Sequence, residues 1–309
     1  MKPDLYLVVN PGARHGRSRI LARRYRDRLR AHGVAFRWGR SRSLDDVGTL
    51  ARRAAEAGYR RIVAVGGDGT INRVLNGVLE VEAPATRPAM GVLYAGTSPD
   101  FCRYHALPTG EAEAVQVLLA GVVRSVDVCR IRHLDPSGRP RTSYFGCTTN
   151  IGLGSGVAGR SNRLRAVLGD ALGTFVAALL TMAQSRPYTL RLHRDGEALL
   201  LRDVRNLTVG KNPHLASGLK LAVEIEPTDG RLFLFALSGV GRLSLLAALP
   251  RLYTGQAAHD RRFLLDRGTT VRVESPCGAP TVEFDGDPAG WSPAEIAVLP
   301  RALPLIGAA

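Results

Sequence analysis

The stretch that decides the fold is Ile62-Val63-Ala64-Val65-Gly66-Gly67-Asp68-Gly69-Thr70-Ile71-Asn72-Arg73-Val74-Leu75-Asn76-Gly77. Its four leading apolar residues predict a short buried strand, and from Thr70 onward the apolar residues recur at helical spacing. A glycine-rich turn between a strand and a helix presents backbone N–H groups and the positive end of the helix dipole, which together favour an anion such as phosphate. Glycine permits the close approach because it lacks a Cβ.

Asp68 is the one carboxylate among the three glycines of this turn. Because a carboxylate repels phosphate, we predict a Mg²⁺ ion that bridges Asp68 and the phosphate oxygens. The alternative is an ordinary turn between strand and helix with an acidic helix start. Such a turn needs neither three glycines nor this order of residues.

The composition is that of a globular protein, and 309 residues are enough for two domains. Lys and Arg number 42 against 27 Asp and Glu, which gives a net charge of +15. This charge favours nucleotide phosphates, an anionic membrane surface or nucleic acid, although a solvated basic surface explains it equally well. Since the sequence shows no recognition-helix motif and no basic groove interleaved with aromatic residues, we expect no nucleic-acid partner.

The cysteines are scattered and form no Cys-x-x-Cys pair; they are Cys102, Cys129, Cys147 and Cys277. This spacing indicates a reduced, cytoplasmic protein without structural zinc. Residues 1–5 lack the apolar segment of a signal peptide. The most apolar window, residues 166–183, is interrupted by glycine and aspartate, so we expect no membrane-spanning helix.

Strand-like and helix-like segments alternate through residues 1–128 and predict a doubly wound parallel sheet with helices on both faces. The predicted strands are Leu5–Val9, Val34–Trp38, Ile62–Val65 and Met90–Tyr94. A turn with glycine follows three of them; these turns are Asn10 to Gly12, Gly66 to Thr70, and Gly96-Thr97. Ligands bind beyond the carboxyl ends of the strands in such sheets, so the three turns predict one shared site.

From Cys129 the pattern changes to short strands separated by turns, which predicts an antiparallel β-sandwich over residues 129–300. The predicted strands are residues 129–134, 141–149, 188–193, 206–210, 232–237, 270–274 and 281–285. Two helical stretches, residues 161–184 and 243–253, interrupt them. Residues 301–309 are apolar enough to pack back on the first domain.

The sequence closely resembles the diacylglycerol kinase catalytic-domain family, which includes bacterial lipid kinases, sphingosine kinases and ceramide kinases. Besides residues 66–77, the matches are Asn10-Pro11, Gly96-Thr97, Asp100-Phe101, Val126-Asp127-Val128, Asn150 with Gly152, Asp229-Gly230 and Asp285-Gly286-Asp287. The short Gly-Gly-Asp-Gly core also occurs in NAD kinases and phosphofructokinases, but the order of the matches fits a lipid kinase better. The resemblance implies an N-terminal nucleotide domain like theirs, a C-terminal β-sandwich, and a cleft where ATP meets a lipid.

The resemblance also implies roles for individual residues. It places the ATP phosphates on Asn10, Gly66, Gly67, Asp68, Gly69, Thr70, Ile71, Asn72, Gly96 and Thr97, with Ser41 near a family threonine that contacts the nucleotide. It makes Asp287 the catalytic base, and it places the cleft acids at Asp68, Asp100 and Asp127. It further implies a structural Mg²⁺ bound by Asp229 and by backbone carbonyls near Glu226 and Arg231.

Four departures from the family pattern bear on catalysis. Asp287 stands where the family has glutamate, so its carboxylate is one methylene closer to the backbone. Pro99 replaces an asparagine, Arg73 replaces a glutamate, and the glycine cluster near residue 218 is reduced to Ser217-Gly218. Three functions stay open: an ATP-dependent kinase of a diacylglycerol-like or sphingoid lipid, a soluble small-molecule kinase such as an NAD kinase, and a catalytically weakened nucleotide- or lipid-binding regulator.

Residues 160–186 suggest how a lipid kinase would meet a membrane. Arg160, Arg163 and Arg165 lead into an apolar helical face, a pattern that suits peripheral docking on anionic headgroups at the inner face of the membrane. Packing of this face in the core explains the pattern as well. The sequence leaves the choice between a monomer and a homodimer open.

Overall fold

The computed structural model describes residues 3–12, 18–81, 87–152, 186–215, 219–239, 263–285 and 287–308, together with residues 164, 173, 176–177 and 180–181. The chain forms two compact units. One comprises Met1–Val128 and Pro300–Ala309, and the other comprises Cys129–Leu299.

Parallel strands alternate with helices in the first unit. The strands are β1 (Leu5–Val9), β2 (Phe36–Arg40), β3 (Arg61–Gly66) and β4 (Ala89–Tyr94). The helices are α1 (Ser18–Ala31), α2 (Leu44–Glu56), α3 (Asp68–Leu79), α4 (Asp100–Tyr104) and α5 (Glu111–Ala120). The strands pair in the order β2-β1-β3-β4, all parallel, which confirms the predicted α/β class.

Apolar residues of the sheet and the helices form the core of this unit. On one face, β1 and β3 pack against α1 and α5 through Leu5, Leu7, Val63, Val65, Tyr25, Leu29, Val115 and Leu118. Helices α2 and α3 also approach each other closely, because a Cβ built on Gly77 would lie 2.4 Å from the carbonyl oxygen of Gly48. The sheet and the helices together hold the carboxyl ends of β3 and β4 in fixed positions.

Strand β2 starts two residues later than the sequence predicts. Val34 belongs to the end of α1, since its N–H donates to the carbonyl of Leu29 at 3.0 Å. Gly33, at φ +70°, makes this capping turn possible because glycine adopts the left-handed region without strain. The backbone of Val34 is therefore engaged in ending the helix and is not available to start the strand.

The second unit is antiparallel, which confirms the predicted β-sandwich. Its strands are β5 (Val123–Leu134, which begins in the first unit), β6 (Pro140–Phe145), β7 (Thr148–Gly152), β8 (Tyr188–Arg194), β9 (Glu197–Gly210), β10 (His214–Leu215), β11 (Leu219–Lys220), β12 (Leu232–Ser238), β13 (Phe263–Gly268), β14 (Thr270–Glu274), β15 (Thr281–Phe284) and β16 (Asp287–Ile306). The hydrogen-bonded order is β13-β12-β9-β7-β15-β16. Strand β8 pairs with β9 and β14, β14 also with β16, and β5 with β6. The core includes Cys129, Phe145, Leu207, Leu234 and Ile296.

Several strand predictions in this unit were incomplete: residues 206–210 are only the end of β9, and β13 was missed. The single strand predicted over residues 141–149 is two strands, β6 and β7, separated at Gly146 and Cys147. Strand β16 was missed because prolines at 288, 293, 300 and 304 are typical of turns. Its last residues belong to the first unit, where Leu305 pairs in parallel with Met90 of β4.

The stretches 243–253 and most of 160–186 lie outside the described residues, so membrane contact through the arginines of 160–186 stays a prediction. Within the described part of the chain, no helix is long and apolar enough to cross a membrane.

Candidate active site

Two glycine turns meet at the carboxyl ends of neighbouring strands. Gly67 follows β3 as the N-cap of α3 and makes no side-chain capping bond, and Gly96 follows β4. A Cβ built on Gly96 would lie 2.5 Å from the Cα of Gly67, and one built on Gly67 would lie 3.1 Å from the Cα of Gly96. Because neither contact leaves comfortable room for a side chain, both turns present bare backbone at the start of α3.

Asn10 joins the third predicted segment to these turns. Its backbone N–H donates to the carbonyl of Val65 at 3.1 Å, and its side-chain amide donates to the hydroxyl of Thr70 at 2.9 Å. The side-chain oxygen of Asn10 accepts the N–H of Gly12 at 3.0 Å. The structure thus brings together Asn10, the turn of residues 66–70, and Gly96. Thr97 is exposed beside Gly96.

Asp68 and Asp100 are neighbours across the two turns. The Oδ2 of Asp68 accepts the backbone N–H of Asp100 at 3.1 Å. The carboxylate of Asp100 accepts the hydroxyl of Ser98 at 3.0 Å and the guanidinium of Arg103 at 3.2 Å. Asp68 is partly exposed as a residue, although its Oδ1 is buried, and Asp100 is engaged with its own helix.

The negative charge of Asp68 acts on two buried groups behind the turns. Burial, and after it the Asp68 carboxylate, raises the pKa of the Tyr94 phenol and of the Cys102 thiol above their ordinary values. Both groups therefore stay neutral near pH 7. Tyr94 was missed as a member of this site, although its position as the last residue of β4, directly before the glycine turn, was a usable signal.

Ile71, Asn72 and Ser41 do not present their side chains to an open site. Ile71 and Asn72 are each 1% exposed, and the side-chain oxygen of Asn72 accepts the amide of Asn76 at 3.3 Å within α3. A direct side-chain contact of either residue with nucleotide does not fit this burial. Ser41 is 3% exposed, and its N–H donates to the carbonyl of Val9 at 2.9 Å, beside the end of β1.

Asp127 is buried and contacts the backbone of Arg301. It is 1% exposed, and its Oδ1 accepts the backbone N–H of Arg301 at 2.8 Å. Arg301 adopts φ +51°, so the chain bends sharply where it joins the first unit. The Asp127 carboxylate holds this bend, and its place among the cleft acids stays a prediction.

The second unit contains the Asp285-Gly286-Asp287 motif at a hairpin. Phe284 pairs with Asp287, so the connection between β15 and β16 consists of residues 285 and 286. The carboxylate of Asp285 accepts the backbone N–H groups of Gly146, Cys147 and Thr148 at 3.0–3.1 Å. Asp285 thereby binds the turn between β6 and β7 to this hairpin. The side chain of Asp287 lies outside the described residues, and its role as base stays a prediction.

Replacing Asp285 by Asn will lower the free energy of unfolding by about 1–3 kcal/mol, because an amide N–H₂ will face a backbone N–H that the carboxylate now accepts. Asparagine tolerates the positive φ of 48° at this position, so backbone strain does not contribute. Chemical denaturation measures the effect. Asp203→Asn is the matched control, since Asp203 also has a positive φ but is exposed. Equal stability of the two variants would contradict the proposal that Asp285 stabilises the fold by binding the turn between β6 and β7.

The sequence analysis also missed Glu283, a nearly buried carboxylate beside this hairpin. Glu283 is 6% exposed, and its Oε1 accepts the side-chain amide of Asn150 at 3.0 Å. The side-chain oxygen of Asn150 accepts Asn206 at 3.1 Å and Thr208 at 2.7 Å.

The predicted metal site at Asp229 contains a lysine ammonium. The Nζ of Lys211 lies 2.6 Å from Oδ1 of Asp229 and 2.7 Å from the carbonyl oxygen of Arg231. The two oxygens of the Asp229 carboxylate also accept the N–H groups of Glu226 and Arg231, each at 2.9 Å. The oxygens that the sequence assigned to Mg²⁺ are already bound to a cation and to amides, so they do not fit that ion. Lys211 was not singled out from the sequence.

No cluster of three or more His, Cys, Asp or Glu side chains converges on a possible metal position in the part of the chain that the structure describes.

Comparison with known proteins identifies the family. Residues 4–131 match the family described as the diacylglycerol kinase catalytic domain, and residues 148–307 match the family described as the YegS C-terminal NAD kinase β sandwich-like domain. The chain belongs to the diacylglycerol kinase and YegS-like lipid kinase family. The resemblance seen in the sequence is thus confirmed, and this protein is a kinase of that family.

Individual relatives match nearly the whole chain. A diacylglycerol kinase of Mycobacterium tuberculosis is 28% identical over 300 residues, which cover 97% of this chain and 93% of the relative. The crystal structure of a candidate diacylglycerol kinase from Bacillus anthracis superposes with a TM-score of 0.77 at 22% identity, covering 98% and 95% of the two chains. Yeast NADH kinase complexed with NADH shares the fold, with a TM-score of 0.56 at 10% identity, over 100% of this chain and 84% of that one.

Proposed function

We propose that this lipid kinase transfers the γ-phosphate of ATP to a hydroxyl of a diacylglycerol-like or sphingoid lipid. The observation that carries the proposal is the close approach of the two glycine turns in front of α3, whose first residue is the partly exposed Asp68. Bare backbone at a helix start suits phosphate, and an adjacent carboxylate suits the cation that accompanies nucleotide phosphates. The family relationship supports the lipid as acceptor.

The residues present fit ATP with Mg²⁺. The start of α3 has no side-chain cap, and Gly67, Asp68 and Gly69 are partly exposed, so backbone N–H groups there are accessible to phosphate oxygens. Asp68 would hold the metal together with those oxygens. A bound Mg²⁺ would neutralise phosphate charge and so lower the barrier to transfer.

The chain's own residues then have separate tasks. The glycine turns would orient the phosphates, and Asn10 fixes the turn through the Thr70 hydroxyl. Asp68 would hold the cation, and the N–H of Asp100 fixes the orientation of the Asp68 carboxylate. Asp287 would take the proton from the lipid hydroxyl as general base. Asp285 supports that role because it binds the hairpin from which Asp287 starts.

The lipid must be reached at a surface, and the net charge of +15 favours an anionic one. We therefore propose a cytoplasmic protein that docks peripherally on the membrane through the arginines of residues 160–186. Neither a nucleic-acid partner nor a particular oligomeric state is part of the proposal.

Transfer of labelled phosphate tests the proposed function. Purified protein is incubated with γ-labelled ATP, Mg²⁺ and mixed micelles of diacylglycerol or sphingosine, and in parallel with NAD. Label in the organic phase is expected. Label on NAD would show that the acceptor is a soluble molecule and not a lipid. Nucleotide binding without transfer to any acceptor would indicate a regulator. Either result overturns the proposal.

A further inference from the structure

The loop that contains Asp229 carries its own cation. Lys211 follows β9 and is 1% exposed, and its ammonium bridges the Asp229 carboxylate and the Arg231 carbonyl. Its backbone is held as well, because the N–H of Lys211 donates to the carbonyl of Cys147 at 3.0 Å. Hydrogen bonds at the backbone and at the ammonium group together fix the position of Lys211.

We infer that the ammonium of Lys211 is the resident cation of the loop of residues 226–231, and that this loop folds without a divalent metal. Mg²⁺ requires about six oxygen ligands at roughly 2.1 Å. An ion on the oxygens of Asp229 and Arg231 would compete with an ammonium that already binds both. The positive charge would also repel the ion at close range.

The identity of the residue supports this role. Of the 42 Lys and Arg residues in the chain, only Lys2, Lys211 and Lys220 are lysines, yet the fully buried cation of this loop is a lysine. A compact ammonium on a flexible stem resembles a metal ion more than a planar guanidinium does. A buried ammonium is tolerated only when it is paired and hydrogen-bonded, as Lys211 is.

The charge state of Asp229 agrees with a paired cation. Burial alone would raise the pKa of Asp229, but the amides of Glu226 and Arg231 and the ammonium of Lys211 hold it below its ordinary value of 3.8.

Thermal unfolding of the nucleotide-free, full-length protein tests the inference without any measurement of activity. The Tm of the wild type in EDTA and in millimolar MgCl₂ is compared with that of Asp229→Asn. We expect the same Mg²⁺ response in both, because Asp229 does not bind the metal. A rise in Tm with Mg²⁺ that Asp229→Asn abolishes would overturn the inference, and this comparison does not depend on a lysine variant.

The variant Lys211→Met removes the charge but keeps a long side chain. Its Tm should fall by about 10 °C in EDTA, because one partner of a buried ion pair is lost. Millimolar MgCl₂ should then restore several degrees, since the freed oxygens can bind the metal. Lys211→Arg, which retains the charge, should gain nothing from MgCl₂. A Lys211→Met protein with the Tm of the wild type, or one that MgCl₂ does not stabilise, would contradict the resident-cation role.

Discussion

Replacing Asp68 by Asn will lower the kcat of lipid phosphorylation by about 100-fold or more, which is the scale for losing a preorganised charge at a reacting phosphate. Asparagine retains an oxygen that can accept the N–H of Asp100, now 3.1 Å from Oδ2, so the local geometry will persist. What is lost is the negative charge that the proposed function assigns to holding Mg²⁺. Stability should fall by only about 1 kcal/mol, through the weaker interaction with the dipole of α3.

Steady-state rates at several MgCl₂ concentrations, with Tm measured in parallel, check this prediction. The control is Asp45→Asn, because Asp45 lies in the first turn of α2 and its side chain is 90% exposed. The control should keep the wild-type kcat and Mg²⁺ dependence. A kcat of Asp68→Asn within a few-fold of the wild type would remove the metal role from Asp68, while leaving the fold and the family assignment untouched.

The fold was predictable from the sequence wherever local pattern and tertiary packing agree. Strands β1, β3 and β4 of the first unit are largely apolar because both faces of the sheet are buried there, and glycine marks where they end. Strand β16 could not be read in the same way. Four prolines interrupt its pattern, and the pairing of its last residues with β4 joins positions that lie more than 200 residues apart in sequence.

The candidate site was predictable to the extent that backbone geometry defines it. Asn10, Gly67 and Gly96 stand directly after three strands of one parallel sheet, so topology alone brings them together. The functions of single carboxylates were harder to predict. Asp68 and Asp127 are both acids that follow or lie in strands, but one is partly exposed at a helix start and the other is buried against the backbone of Arg301. The two aspartates differ in the groups that they contact in the folded chain, and the sequence does not show those contacts.

Lys211 illustrates a further limit. The turn that contains Asp229 looks the same in sequence whether its cation is a metal or an ammonium, because the carboxylate and carbonyl oxygens serve either one. Lys211 lies 18 residues before Asp229 and reaches it only through the path of the chain after β9. In the sequence, Lys211 is notable only as a rare lysine in an arginine-rich chain. This does not identify Asp229 as the residue that it binds.

Replacing Gly96 by Ala should reduce kcat/KM by about 100-fold, since misplacement of reacting groups by roughly 1 Å has effects of this size. The new Cβ would lie 2.5 Å from the Cα of Gly67, which is backbone and cannot rotate away. The two turns must separate, and the N–H groups in front of α3 move with them. The dissociation constant for ATP, measured by calorimetry, should therefore rise together with the loss of activity.

Gly58→Ala separates this effect from a general loss of stability. Gly58 has φ +80°, and a Cβ built on it would meet nothing within 4 Å, so alanine there introduces backbone strain of about 1 kcal/mol and no collision. Its Tm should fall while its kcat/KM stays near that of the wild type. If Gly96→Ala were as active as Gly58→Ala, the close contact of the two glycine turns would not be what forms the phosphate site, and the proposal of a nucleotide bound there would lose its structural basis.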